Sequence, residues 1–225
     1  ITMQIRLQSG LGILHVLQAD ANIKFDVVPV DYVCNALISS AQHHKIPVYN
    51  YVSGSENPIS FGRFSDTTWL FGSFFPSITA VYYSFVILVK SRWLFVILDF
   101  FLHFSCFLCF RYQTANKIGN ALRAVAYFLT HEWNFENKRT QNLWKQMGPM
   151  ERQTFPFHMR DLDWDEYLSK IVKGLRKYIV HESDENLKQA RQRRVYLYIV
   201  HTIVRLAFGI FVLWITWKLF HGYGL

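Results

Sequence analysis

His103, Cys106 and Cys109 place an imidazole and two thiols close together, a donor set that zinc and softer metal ions take. On a helix, however, these positions drift round the axis, with the first and third about 120° apart, and no second ligand pair follows. No metal site is expected there, and reversible acylation is the chemistry left to the thiols. His131-Glu132 lacks a second His at the spacing that lets a helix grip zinc. The Ser53-Gly54-Ser55 turn has one of the two glycines that expose a nucleophilic serine. Gly10-Leu11-Gly12 carries two glycines of a phosphate-cradling loop but no third and no preceding strand, so it reads as a turn. Reduction of a carbonyl by a phenol–ammonium pair needs Tyr and Lys four apart, the cation making the phenol a better proton donor. Tyr167-Leu168-Ser169-Lys170 misses that spacing by one position. No catalytic, cofactor-binding or metal residue is therefore assigned.

The elements that would have to hold such groups begin with the β-branched run Asp26-Val27-Val28-Pro29-Val30. Asp31 is placed to cap a helix running through Ala41 and ending near His43-His44-Lys45. Pro47 to Val52 reads as a strand, Gly54, Asn57 and Pro58 as a loop, and Ser60 as the cap of another helix. This order is α/β. Further on, Asp163-Trp164-Asp165-Glu166 has capping-box spacing. Behind it Trp164, Leu168, Ile171, Leu175 and Tyr178 recur on one helical face, an apolar stripe expected to pack on a core.

Composition adds a bilayer. The 225 residues are 51% apolar, 17% aromatic and only 18% charged, with 24 Lys+Arg against 16 Asp+Glu. Ordinary soluble domains are about 25% charged, so the apolar surplus needs a destination, and disordered, collagen-like and disulfide-stapled classes are excluded. Trp93 to Phe110 would cover about 27 Å against a hydrocarbon core of about 30 Å, and it contains Asp99 and His103. A membrane-seated or re-entrant helix is expected there. Val195 to Trp217 has 13 Val, Leu, Ile and Phe residues, contributing about −6 kcal/mol to insertion, of which Arg205 returns about +3. His201 narrows the margin further. Lys188, Arg191, Arg193 and Arg194 precede this segment and only Lys218 follows, so residues 1–194 are expected to face the cytosol. Directly beside an apolar segment, the basic run is a membrane-surface feature and no nucleic-acid partner is expected. Three cysteines cannot all pair within one chain, which fits a reducing compartment. With Ile1 first and no charged-then-apolar leader, no signal peptide is expected, and the chain reads as the back part of a longer product.

The residues Asp26 to Ala36, Val48-Tyr49-Asn50 and Asn57-Pro58-Ile59 resemble the end of the reductase domain of alcohol-forming fatty acyl-CoA reductases of the animal type. Trp133-Asn134-Phe135, Asn137, Met147, Asp163-Trp164-Asp165-Glu166-Tyr167, Gly174, Arg176 and Tyr178 are similar to the male-sterility domain that follows it. The resemblance runs from about residue 10 onward, its motifs in the family's order. It implies a membrane-bound, NADPH-dependent enzyme that reduces long-chain acyl-CoA to a primary fatty alcohol in the endoplasmic reticulum or peroxisomal membrane. The terminal Gly222-Tyr223-Gly224-Leu225 is not a peroxisomal tripeptide signal. The family's glycine-rich loop and Tyr-x-x-x-Lys pair match no position here, so none of its catalytic or cofactor residues carries over.

The fold expected is an α-rich α/β fragment, a C-terminal remnant of a Rossmann-type reductase domain followed by a helical domain and membrane helices. Its parts are the end of the NAD(P)-binding domain (1–66), an apolar membrane-associating segment (67–110), the helical C-terminal domain (111–190) and a transmembrane helix (195–217). The chain alone is expected to be inactive and to bind no cofactor. A non-catalytic, membrane-anchored lipid-binding or regulatory relative is the alternative. A channel subunit has only Asp99, His201 and Arg205 in its favour.

Overall fold

A computed structural model describes residues 9–41, 48–107, 122 and 125–222. The chain divides into two compact units. One comprises 16–68 and 87–170, the other 1–15, 69–86 and 171–225.

The first unit is built on a parallel two-stranded sheet, β1 (Val16–Gln18) beside β2 (Ile87–Val89), with Val16 opposite Ile87 and Gln18 opposite Val89. Helix α1 (Val30–Ser40) starts after Pro29, whose fixed φ and missing N–H suit the position before a first turn. Asp31 is not the cap: it lies inside the first turn without a side-chain capping bond, where its charge still meets the positive helix end. The expected helix end at His43-His44-Lys45 lies outside the described residues. Helix α2 (Phe61–Phe74) is capped as its sequence implies, Ser60 Oγ accepting from the Arg63 N–H at 3.1 Å. Helix α3 (Arg92–Phe107) packs on β1. Its 16 residues rise about 24 Å, short of a bilayer core.

Helices α4 (Lys138–Gln146), α5 (Pro149–Thr154) and α6 (Trp164–Gly174) follow. Asp163 Oδ1 accepts from Asp165 and Glu166 at 2.8 and 3.3 Å at the start of α6. Glu166 turns away from the cap and pairs with Lys170 at 2.6 Å, so the capping box is half made. One core cluster gathers Ala36 of α1, Leu143 and Met147 around α4, and Phe157, with Tyr49, Tyr51 and Trp144 packed against it. Phe61 and Phe64 are fully buried, and Phe25 meets both rings at 5.3 Å.

The strands expected over 26–30 and 47–52 do not form. Val30 opens α1, and residues 26–29 and 48–52 join no ladder. Side chains satisfy their backbone in place of a neighbouring strand: Ser53 Oγ accepts from the Val27 N–H, and Asp26 Oδ1 accepts from the Ser53 and Gly54 N–H groups at 3.0 and 2.7 Å.

In the second unit α6 gives way to a π-helical turn, Leu175–Ile179. The wider turn breaks the 3.6-residue register, so the stripe read as one face ends early: Trp164 and Leu168 are buried, while Tyr178 is exposed. Helix α7 (Leu187–Gly222) has 36 residues, and one 18-residue window within it has a mean hydropathy of 2.0 and no residue buried inside the protein. The described residues are thus helix-rich, with a small sheet and, among them, one helix long and apolar enough to cross a membrane.

Candidate functional site

The residues that carry the sequence motifs converge on one polar junction in the first unit. Asn57, in the loop before α2, donates both Nδ2 hydrogens to the carbonyls of Met159 and Leu162, at 3.0 and 2.8 Å. Its Oδ1 accepts from Trp164 Nε1 at 2.8 Å. Asn137, just before α4, donates to Glu56 and accepts from Gln141 Nε2 at 2.9 Å. Thr140 Oγ1 donates to the Asn50 carbonyl at 2.7 Å, Asn50 Nδ2 to the Glu136 carbonyl at 3.1 Å, and Asn35 Nδ2 to the Pro156 carbonyl at 2.8 Å. Tyr51 donates its hydroxyl to the Phe157 carbonyl. These bonds run between 30–60 and 135–165, segments that sequence separation alone gives no reason to join.

Burial dominates the electrostatics of this junction. It pushes the Tyr51 phenol well above its ordinary value near 10, with the Glu56 charge adding to the effect. Tyr32 and Tyr167 are raised for the same first reason. At the sheet end, Lys90 Nζ lies 2.7 Å from Asp20 Oδ2 and, as donor, holds that carboxyl below its usual range. His158 stacks flat on Trp144, centroids 5.3 Å apart, with Nε2 3.7 Å from Glu56 Oε2.

Among the described residues neither a metal-binding nor a nucleophilic arrangement emerges. No group of three or more His, Cys, Asp or Glu residues close enough to hold a metal occurs among the described residues. Cys109 lies outside them. Ser53, tested as a nucleophile by its turn, is fully buried and spent on Asp26 and Val27. A recess ringed by Lys24, Asp26, Gly54, Glu132 and Trp133 has a volume of about 10 Å³, room for one water and not for an acyl chain.

In the second unit, Gly12 has φ +71°, and a Cβ there would lie 2.1 Å from the Tyr82 carbonyl oxygen. The glycine thus packs against its own chain instead of baring a backbone for pyrophosphate, so the Gly10-Leu11-Gly12 turn does not fit a dinucleotide cofactor. Arg176, buried, lies 3.4 Å from Glu182 and donates to the Pro76 carbonyl. Glu182 in turn accepts from the Ile78 and Thr79 N–H groups. The basic run before the apolar part of α7 is anchored: Arg191 and Arg193 donate through Nε to the Phe74 and Ala80 carbonyls at 3.2 and 3.0 Å, and Arg194 lies over the Tyr83 ring. His201 bonds the Tyr82 hydroxyl at 3.0 Å and stacks on Tyr83. The polar imidazole at the start of the apolar helix is thereby satisfied by protein.

Residues 92–182 match the family model described as Male sterility protein. The chain is 27% identical, over 93% of its length, to the Drosophila melanogaster protein called Fatty acyl-CoA reductase wat. It is 26% and 25% identical, each over 95% of its length, to Fatty acyl-CoA reductase 1 of Rattus norvegicus and Homo sapiens. In each case it spans 44% of the relative's length. The resemblance to the C-terminal portion of fatty acyl-CoA reductases, male-sterility domain included, therefore holds across nearly the whole chain.

Proposed function

We propose that this chain is the C-terminal part of an NADPH-dependent, alcohol-forming fatty acyl-CoA reductase, supplying a rigid helical scaffold and a membrane anchor to the catalytic remainder. The observation that carries the reading is collinear similarity to reductases over 93–95% of the chain, together with motif residues that bond to one another across about a hundred positions. The Gly10-Leu11-Gly12 turn does not fit a dinucleotide, and in this reading binding of NADPH and reduction of long-chain acyl-CoA belong to the other part of the enzyme. In the same reading α7 crosses an endoplasmic reticulum or peroxisomal membrane with residues 1–194 on the cytosolic side, the anchored arginines supporting that orientation.

A chimera tests it. The matching segment of the rat Fatty acyl-CoA reductase 1 is replaced by this chain, and fatty alcohol formed from a long-chain acyl-CoA and NADPH is measured. Alcohol is expected from the chimera and none from the isolated chain. A chimera that folds and reaches the membrane fraction but stays inert overturns the reductase reading in favour of a non-catalytic relative. Alcohol from the isolated chain overturns the assignment of chemistry to the other part.

A further inference from the structure

Helix α3 shows two unlike faces, and only one is accounted for by the fold. The face carrying Phe95, Leu98 and Leu102 is half-buried and turned toward β1. On the other side Trp93, Val96 and Ile97 fall within about 100° of arc at 3.6 residues per turn, and Phe100 continues the line. Trp93 is 81% exposed, and Val96 and Ile97 are 52% exposed each. Asp99, the helix's acidic residue among those with described side chains, sits about 110° from the centre of that stripe. Arg92 stands exposed at the helix start beside Trp93.

We infer that α3 is an in-plane membrane helix, seating Trp93, Val96 and Ile97 in the acyl–headgroup boundary of a bilayer while Arg92 meets lipid phosphates. Three observations select lipid as the occupant. The stripe is apolar and exposed along one face of the helix. A Trp beside an Arg at one end is the pairing that settles at a membrane interface, the ring at headgroup depth and the guanidinium on phosphate. The same polypeptide carries α7, whose 18-residue apolar window has no residue buried by protein, so the bilayer is the apolar phase at hand. At 16 residues, α3 is too short to span about 30 Å, and its half-buried second face speaks against a lipid-surrounded rod. This inference deepens the membrane reading above, on which it rests for the supply of a bilayer.

The test uses the full chain in nanodiscs of phosphatidylcholine with phosphatidylserine. With Cys34, Cys106 and Cys109 replaced by Ser, an environment-sensitive fluorophore is attached at Val96→Cys, at Ile97→Cys or, as the anchor control, at Phe208→Cys. A lipid bearing a shallow nitroxide should lower emission at 96 and 97 about twofold, while aqueous iodide leaves it nearly unchanged. Quenching by iodide overturns the inference, because the face is then in water. Protection from both quenchers also overturns it, because protein then covers the face. The 208 label separates the two readings: lipid contact at 208 without contact at 96 defeats α3 and leaves the anchor standing, whereas absence of lipid contact at 208 defeats the anchor. A second measurement leaves the cysteines in place. Brominated lipid should quench the chain's tryptophan emission less in Trp93→Phe than in the unaltered chain, and equal quenching overturns the inference.

Discussion

Trp164→Ala separates a packed helical face from one that lines an acyl tunnel. The indole is 4% exposed, and its Nε1–H ends on Asn57 Oδ1. Truncating a buried Trp removes its contacts and leaves a cavity, at about 3–5 kcal/mol. The Asn57 oxygen loses its donor at the same time, which adds about 1–3 kcal/mol. The amide cannot flip to recover it, because both its hydrogens are held by the Met159 and Leu162 carbonyls. Trp164→Phe keeps most of the apolar area but still strands that oxygen, so it should cost about 1–3 kcal/mol. At roughly 2–4 °C per kcal/mol for a unit of this size, the Ala variant should melt on the order of 10 °C lower, and the Phe variant about a third as much lower. The assay is a near-ultraviolet dichroism melt of the full chain in nanodiscs, run beside a long-chain acyl-CoA titration. An unchanged melt with lost acyl-CoA binding would refute the packing argument. Equal losses for Ala and Phe would refute the claim that burial exceeds the hydrogen bond.

Glu182→Gln should remove the buried one of the two carboxylates that face Arg176, leaving the exposed Asp184 at 3.2 Å, and lower stability by about 1–3 kcal/mol, read as a melting shift. Raised phenol pKa values in the fold mean that Tyr51, Tyr32 and Tyr167 contribute stability in full below their ordinary value near 10, and that this is lost as pH rises past it. Melting temperature should therefore fall above pH 10, and Tyr51→Phe should flatten the fall. The carboxyl of Asp20 is shifted the other way, so its contribution is complete above the ordinary value of 3.8 and decays as pH drops through the lowered one. Asp20→Asn should remove that acid-side dependence. His181, at φ 59°, sits in the left-handed region, and His181→Gly should raise stability by up to about 1 kcal/mol in the same melt.

What was legible in the sequence is what depends on near neighbours. Ser60 and Asp163 cap their helices because a short side-chain oxygen reaches an N–H two or three positions on, and the Trp164–Leu168 pair is buried because four residues return a helix to the same face. The apolar stretch 195–217 was legible for the same reason, its character being a property of one window, although the helix that carries it runs over 36 residues, Leu187–Gly222. The strands expected at 26–30 and 47–52 failed because β-branched runs report only that a segment can extend. Whether it pairs depends on a partner, and here Asp26 and Ser53 took that place from 27 residues apart. Nothing local marks the π turn at Leu175–Ile179 either, and it alone diverts Tyr178 from the stripe. The junction around Asn57 was visible only as a resemblance, since the spacing between 57 and 164 carries no periodic signal.

That junction also shows what several of the motif residues do in the fold. The polar side chains of the motif stretches are committed: Asn57 has both donors and its acceptor filled, Asn137 joins Glu56 to Gln141, Asn35 and Asn50 hold backbone carbonyls, and Arg176 is held by Glu182. A side chain whose hydrogen-bonding capacity is turned to buried backbone has none to offer a thioester or an aldehyde. Such residues fix how the 135–165 helices sit on the 30–60 segment, a requirement of any chain with this scaffold, whatever chemistry is done beside it. Similarity carried by them therefore speaks to architecture first.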